Sequence, residues 1–366
     1  MNAVVNRGKE MIRLNLKDPV DHKRALDLLC NCDVVVENFR PGTMARLGLD
    51  PKEIHRINPT AIILSMPGYA STDVDRCNIQ AFEGLMMADT GVFSDMGLNR
   101  ILMGIPASYS ALPLASIYGG VAGTLAVLSA LYAREVHSHG DIIEVPLASA
   151  LLDCLVYNSW EIGETAERYK CVREREIERR EKESLPMCLS FKELEKLLDP
   201  FYRTYFCGDG RPVYIVAPCH AIHQRRSLEC LGVWDEMVAD GLPQGDVYLP
   251  SSQWPGGAQC LLGTYPISSY YWMDKLTKRM SAAFKTKAAF EWEALFGAAK
   301  VPVGAHRTAR EFLNSEHALS SELTVEVETE KYGTMRQKGK CFWLRERTEV
   351  PPTFQPAKVQ TASEGP

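Results

Sequence analysis

No run of eighteen apolar residues passes without a Gly or Pro break, so no membrane-spanning segment is expected. Charge of one sign is not in excess either. The chain carries 41 Lys and Arg against 46 Asp and Glu, a formal net charge of -5. A mildly acidic chain is a poor general nucleic-acid binder, although a local basic pocket can still take a phosphorylated ligand. CxxC pairs are missing: of eleven cysteines, Cys30 and Cys32 are one residue apart and the rest are scattered. That spacing reads as reduced thiols inside a cell, not as a disulfide framework. Cys219, His220 and His223 cluster but lack a second ligand pair, so they read as a strand end entering a helix, and no metal is expected. Residues 1–9 hold neither a signal-like apolar region nor an Arg-rich presequence, and the final Ala-Ser-Glu-Gly-Pro is not a peroxisomal tripeptide. The cytoplasm is the default, with mitochondrial and peroxisomal addresses left open.

What the chain does contain is the composition of a soluble globular protein. Its 366 residues are 46% hydrophobic and 24% charged, enough for two domains. From residue 10 to 150, helical and strand patterns alternate. Asp21–Cys30 has helical spacing, and the Val34, Val35, Val36 run suits a buried strand. A turn at Arg40, Pro41 and Gly42 leads to a helix at Met44–Leu47, and Pro51 opens another after Asp50. Ala61–Met66 and Asp141–Val145 are further strands. Ala111–Glu135 is a long apolar helix, in which Gly119, Gly120 and Gly123 suggest close packing against another backbone. Leu147–Trp160 is the next helix. Strands separated by helices predict a parallel α/β sheet.

Beyond it, the mixed charges of Glu164–Glu183 at i,i+4 spacing describe a solvated helix. Phe201–Val216 reads as two strands around Gly208-Asp209-Gly210. Ala283–Phe296 reads as a helix, and Leu323–Phe342 as a hairpin turning near Tyr332 and Gly333. The Pro-, Thr- and Ser-rich tail from Pro351 reads as disordered.

Several segments, in this order, resemble the class III CoA-transferases (the CaiB/BaiF family, with formyl-CoA transferase and carnitine CoA-transferase). They are Asn6-Arg7-Gly8-Lys9; Val36-Glu37-Asn38-Phe39-Arg40-Pro41-Gly42 with Leu47-Gly48-Leu49; Ile57-Asn58-Pro59 with Leu64 to Tyr69; and Ala130 to Arg134 with Gly140 and Glu144-Val145 beyond. Gly208-Asp209-Gly210 and Val301-Pro302-Val303, followed by Glu311-Phe312, continue the likeness. It spans residues 6–345, and no one motif in it is decisive.

The resemblance implies a Rossmann-like parallel-sheet large domain plus a smaller α/β domain. The boundaries read as 1–163 for a large CoA-binding domain, 164–198 for a charged helical linker, 199–305 for the small domain, 306–350 for a segment returning to the large domain, and 351–366 for the tail. It implies coenzyme A or acyl-CoA as substrate, with no permanently bound cofactor, and a small carboxylic acid as second substrate. It also implies an intertwined homodimer, or pairing with a paralogous domain. By the same likeness, Asn38, Phe39 and Arg46 line the CoA site. Independently of family, Arg40 and Arg46 sit near a strand-to-helix corner of the kind that receives anions at the end of a parallel strand. The alternative there is a plain corner, with Asn38 capping a turn and Arg40 paired to a surface carboxylate.

The likeness breaks where chemistry matters most. The family places its nucleophilic aspartate on the first turn of the helix after the Glu-Val strand end, where the carboxylate attacks the acyl-CoA thioester. Aligned on Glu144-Val145, that position is Ser149, whose hydroxyl needs a neighbouring base. Asp153 lies one helical turn on and is the candidate substitute, displaced by several Å. Two readings stay open. One is an enzyme transferring CoA between carboxylic acids, using Ser149 or Asp153. The other is a non-catalytic partner or scaffold of the same fold. An acyl-CoA racemase or lyase relative is weaker, because no histidine lies between Tyr69 and Gly84 and the carboxylates before Glu83 are Asp73 and Asp75. The glycine-rich loop expected before Phe201 is absent, and Trp254-Pro255-Gly256-Gly257 reads as an ordinary loop. Family members carry a strand and helix ahead of the motif reached here at Asn6, so an N-terminally incomplete large domain is expected.

Overall fold

The computed structural model describes residues 2–95, 101–105, 109–155, 163, 172–258, 260–264, 267–343 and 358–360. Among them are ten strands: β1 Glu10–Ile12, β2 Val34–Glu37, β3 Ile62–Ser65, β4 Ile142–Glu144, β5 Tyr202–Phe206, β6 Pro212–Val216, β7 Val303–Ala305, β8 Thr324–Thr329, β9 Gly333–Lys338 and β10 Lys358–Gln360. The chain divides into two compact units. One comprises Met1–Met96, Tyr109–Trp160 and Thr308–Pro366, and the other Gly97–Ser108 and Glu161–Arg307.

The first unit is built on the parallel sheet β2-β3-β4. The apolar runs that marked these strands are buried on both faces at the centre, where Ile62, Ile63 and Leu64 of β3 are almost fully enclosed. Helix Pro19–Cys30 begins on Asp18, whose carboxylate accepts from the N–H groups of Val20 and Asp21. Helix Pro51–Ile57 begins likewise on Asp50, which accepts from Lys52 N. Val35, Met44, Leu49, Ile54, Ala61 and Ile63 close the core in this part of the unit.

Helix Leu114–His137 packs against β3 through its glycines. A Cβ at Gly123 would stand 2.9 Å from the Leu64 side chain, and one at Gly119 would stand 2.7 Å from Leu147. Arg134, near its end, donates to Thr60 O and pairs with Asp33, tying the helix to the amino-terminal edge of β2 and β3. By length and composition this helix is apolar enough to cross a membrane. Gly119, Gly120 and Gly123, which interrupt the apolar run in the sequence, lie within one continuous helix, as expected. Each costs about 1 kcal/mol of helix propensity, offset here by close docking. The docked face is occupied by the sheet.

Arg7 donates to Gln337 Oε1 and Lys338 O, so the amino-terminal motif is fastened to the antiparallel hairpin β8-β9. In the tail read as disordered, residues 358–360 form β10, which pairs in parallel with β1.

The second unit holds the antiparallel sheet β5-β6-β7. Its core gathers Phe201, Tyr205, Phe284, Trp292 and Phe296. Phe284 lies 4.8 Å from the Tyr205 ring centroid and 5.7 Å from that of Phe296. The helix expected over Ala283–Phe296 is instead two helices, Tyr270–Phe284 and Ala289–Ala298. The break keeps both apolar faces on one core, and Trp292 Nε1 donates to the freed carbonyl of Phe284. Helix Val172–Lys182 carries the predicted charge ladder, with Glu176 bridging Arg179 and Arg180. The rest of that stretch, 164–171, lies outside the described residues, as do 156–160 of the helix expected to reach Trp160.

Candidate functional site

The carboxyl ends of the three parallel strands are in register. Glu37 of β2 pairs with Ser65 of β3, which pairs with Glu144 of β4. All three line one cavity of about 310 Å³. A crevice beyond the carboxyl ends of parallel strands is where this kind of sheet receives ligands.

The outer carboxylates hold its walls. Glu37 accepts from Phe39 N at 2.8 Å, turning the chain out of β2. Glu144 accepts from Ser71 N at 2.9 Å, fixing the segment after β3. Tyr69 lines the cavity and donates its hydroxyl to Asp89 at 3.0 Å. Burial, reinforced by the Asp89 carboxylate, pushes this phenol above its ordinary pKa. Arg76 bonds Asp73 and Asp89, with its guanidinium carbon 5.1 Å from the Tyr69 ring centroid. This network braces the loop that presents Cys77 and Asn78 to the cavity.

Of the candidate coenzyme-binding residues, Phe39 and Arg40 line this cavity, and Phe39 is half exposed. Asn38 and Arg46 are exposed and are not among the lining residues. The Arg46 guanidinium folds back on its own turn, donating to Thr43 Oγ1 at 2.7 Å. The helix at this corner is a single turn, Thr43–Arg46, started by Gly42 at φ 70. The Thr43 N–H is already bonded to Arg40 O. Attraction for an anion here therefore rests on the two guanidinium groups more than on backbone donors.

Ser149 and Asp153 both lie exposed on helix Leu147–Leu155, one turn apart. The first two N–H groups of this helix are occupied, Leu147 N by Pro67 O and Ala148 N by Gly68 O. Among the described residues neither Ser149 nor Asp153 has a side-chain hydrogen-bond partner. Ser149 thus has no base bonded to its hydroxyl, and neither residue lines the cavity. Asp73 is engaged with Arg76. Glu83 caps helix Leu114–His137, accepting from Ala115 N, Ser116 N and the Ser116 hydroxyl.

In the second unit, the His220 and His223 rings lie 5.4 Å apart beside Cys219. Among the described residues no three metal-ligating side chains come together.

Sequence reasoning missed Glu37, Ser65, Tyr69, Cys77 and Glu144 as lining residues. The available signal was positional: each follows or ends a strand of the parallel sheet, where side chains turn toward the crevice.

The model of CoA-transferase family III matches residues 1–235 and 258–358. The CoA-transferase/lyase DddD of a Marinomonas strain is 43% identical over 350 residues, covering 95% of this chain and 42% of that protein. The acetyl-CoA:oxalate CoA-transferase of Acetobacter aceti is 37% identical over 150 residues, covering 41% of this chain and 38% of that protein. The matched stretches thus span less than half the length of these curated relatives. Among solved structures, Rv3272 of M. tuberculosis superposes with a TM-score of 0.68 at 18% identity, covering 97% of this chain and 82% of that one. A CAIB/BAIF family protein from Brucella suis gives 0.66 at 16% identity, covering 98% and 80%. These structures share the fold. With matching motifs, parallel sheet and crevice in place, the chain belongs to CoA-transferase family III.

Proposed function

We propose that this chain binds the coenzyme A portion of an acyl-CoA at the carboxyl end of its parallel sheet, and acts in the transfer of CoA between an acyl-CoA and a small carboxylic acid. The observation that carries the reading is the cavity in which Phe39 and Arg40 join the Glu37-Ser65-Glu144 row. Phe39 offers a flat apolar surface to a base or a pantetheine arm, and Arg40, with Arg46 close by, offers cationic forks to phosphate. Family membership and the names of the curated relatives support CoA thioesters as the substrate class.

Calorimetry with coenzyme A tests the binding step. Arg40→Ala is expected to weaken binding roughly 10- to 100-fold, from loss of a charge-assisted contact worth about 1.5 to 3 kcal/mol, while leaving thermal stability unchanged. Cys77 supplies an independent readout. Coenzyme A in this cavity is expected to slow alkylation of Cys77 while sparing Cys188 and Cys341, which are exposed. Equal rates at Cys77 with and without coenzyme A would rule the cavity out.

A second reading is favoured by Ser149. Acyl transfer to its hydroxyl would form an ester, release CoA as thiolate and require a base for the hydroxyl proton. No such base is bonded to it among the described residues. In this reading the chain holds the coenzyme, and a paralogous domain carries the nucleophile. Incubation with an acyl-CoA followed by mass spectrometry separates the two. An adduct on helix Leu147–Leu155 supports self-contained transfer. Coenzyme binding without an adduct supports the paired arrangement.

A further inference from the structure

The segment 68–81 leaves the end of β3 and returns almost to its starting point. A Cβ at Gly68 would stand 1.8 Å from the Ala81 side chain, so the two ends of the loop touch. A closed loop of this length is shaped by its own side chains. None of residues 71–80 is buried, and Val74 is 84% exposed. The loop has no apolar anchor, so polar bonds decide its shape. Glu144 fixes its start at Ser71. Among the described residues, the tie from 72–79 to the rest of the unit is made by Arg76. Its Nε donates to Asp73 Oδ2 at 2.9 Å, inside the loop, and its Nη1 to Asp89 Oδ2 at 3.2 Å, outside it. The guanidinium covers the Tyr69 ring, and the Tyr69 hydroxyl donates to the same Asp89 oxygen. Asp89 ends helix Glu83–Asp89, which Met86 and Met87 fasten to the core. The helix dipole opposes a carboxylate on a last turn, and the Arg76 cation offsets that opposition.

Tyr69, Ser71, Cys77 and Asn78 line the cavity, whereas Arg76 does not. We propose that Arg76 is a positioning residue for coenzyme A, a role that rests on the coenzyme reading of the cavity. It holds Tyr69 and the Cys77-Asn78 pair where a bound coenzyme meets them, so that binding does not have to order the loop. An exposed ion pair adds little to global stability. Here the pair sets the population of one loop conformation instead. A wall in place for only a tenth of the time weakens apparent affinity about tenfold.

The test compares the parent chain with Arg76→Gln and Arg76→Lys by two readouts. Alkylation of Cys77 by iodoacetamide in the free chain reads the loop, and calorimetry with coenzyme A reads binding. In the braced loop the Cys77 thiol is half-buried and accepts from Asn78 Nδ2 at 3.5 Å. Arg76→Gln is expected to speed Cys77 alkylation and to weaken coenzyme A binding, each about tenfold, with the rates at Cys188 and Cys341 unchanged. Arg76→Lys, which keeps the charge without the two-pronged geometry, should fall between the two. Adding Asp89→Asn to Arg76→Gln should cost no further affinity, because both remove the same tie. Melting temperatures should match the parent. Unchanged Cys77 alkylation in Arg76→Gln overturns the bracing. Faster alkylation with parental affinity overturns the positioning role and leaves the coenzyme reading intact. A parent chain that binds no coenzyme A overturns that reading and this role with it. A lowered melting temperature accompanying the lost affinity makes Arg76 a structural residue only and overturns the proposal.

Discussion

The two units bury their apolar residues in different ways. The Glu161–Arg307 part gathers aromatic side chains into one continuous core, centred on Phe284 with Tyr205, Trp292 and Phe296 around it. The parallel-sheet unit has two smaller clusters, one around Met44 and Ile63 and the other around Met86 and Leu151. It keeps a cavity at the strand ends and a bare helix face. The contrast is between a closed core and an open one. The aromatic unit has its core within itself, whereas the sheet unit keeps open surface, and open surface is what a ligand requires.

Loss of aromatic packing should give the largest effect. Phe284→Ala, at a fully buried position, is expected to cost about 3 to 5 kcal/mol in urea unfolding. Coenzyme A binding to the folded chain should be retained. If binding fails while the fold is intact, the contrast between a stabilising unit and a binding unit is wrong.

Next comes Asp199, buried beside the same core, where it accepts from Phe201 N and Ile267 N. Burial pushes its pKa up to about 6, against those two N–H donors and the Arg203 charge, which lower it. Since the folded value lies above the unfolded one, the group stabilises below about pH 4, and that contribution is lost as pH rises through about 6. Stability of the parent chain relative to Asp199→Asn should therefore fall by up to about 3 kcal/mol between pH 4 and pH 7. A pH-independent difference would show that the carboxyl titrates normally.

In the sheet unit, Gly140→Ala is expected to cost about 1 to 3 kcal/mol, because the new Cβ would stand 2.1 Å from Ala61 O. An effect well below 1 kcal/mol would mean that this end of β4 yields easily. The smallest change is Glu83→Gln, expected to lower stability by about 1 kcal/mol through weakened capping of helix Leu114–His137. Thermal melting reads both, and a larger loss for Glu83→Gln than for Gly140→Ala would reverse the ranking.

Much of the sheet was legible because its signals are local. The valine run of β2, the Pro51 helix start and the Gly208-Asp209-Gly210 turn follow from residue type and period. The candidate site was legible only in part. Phe39 and Arg40 came from a contiguous motif, and the structure sets both on the cavity. Glu37, Ser65 and Glu144 are far apart in the chain and acquire common meaning only through strand register. The sequence reads the helix near Lys285 as unbroken, whereas it reads the continuous helix through Gly119, Gly120 and Gly123 correctly. What decides them is which surface each segment docks on, and that surface is supplied by distant residues.

By itself the sequence determined the α/β class, the order of β2, β3 and β4 and the corner at Pro41-Gly42, since these depend on nearest neighbours and short periods. Only the tertiary structure decided that Glu37, Ser65 and Glu144 share a wall, that Ser149 stands without a bonded base, and that one stripe of a long helix is left bare. Each of these depends on where remote backbone atoms come to lie, and register and burial do not exist until the strands have paired.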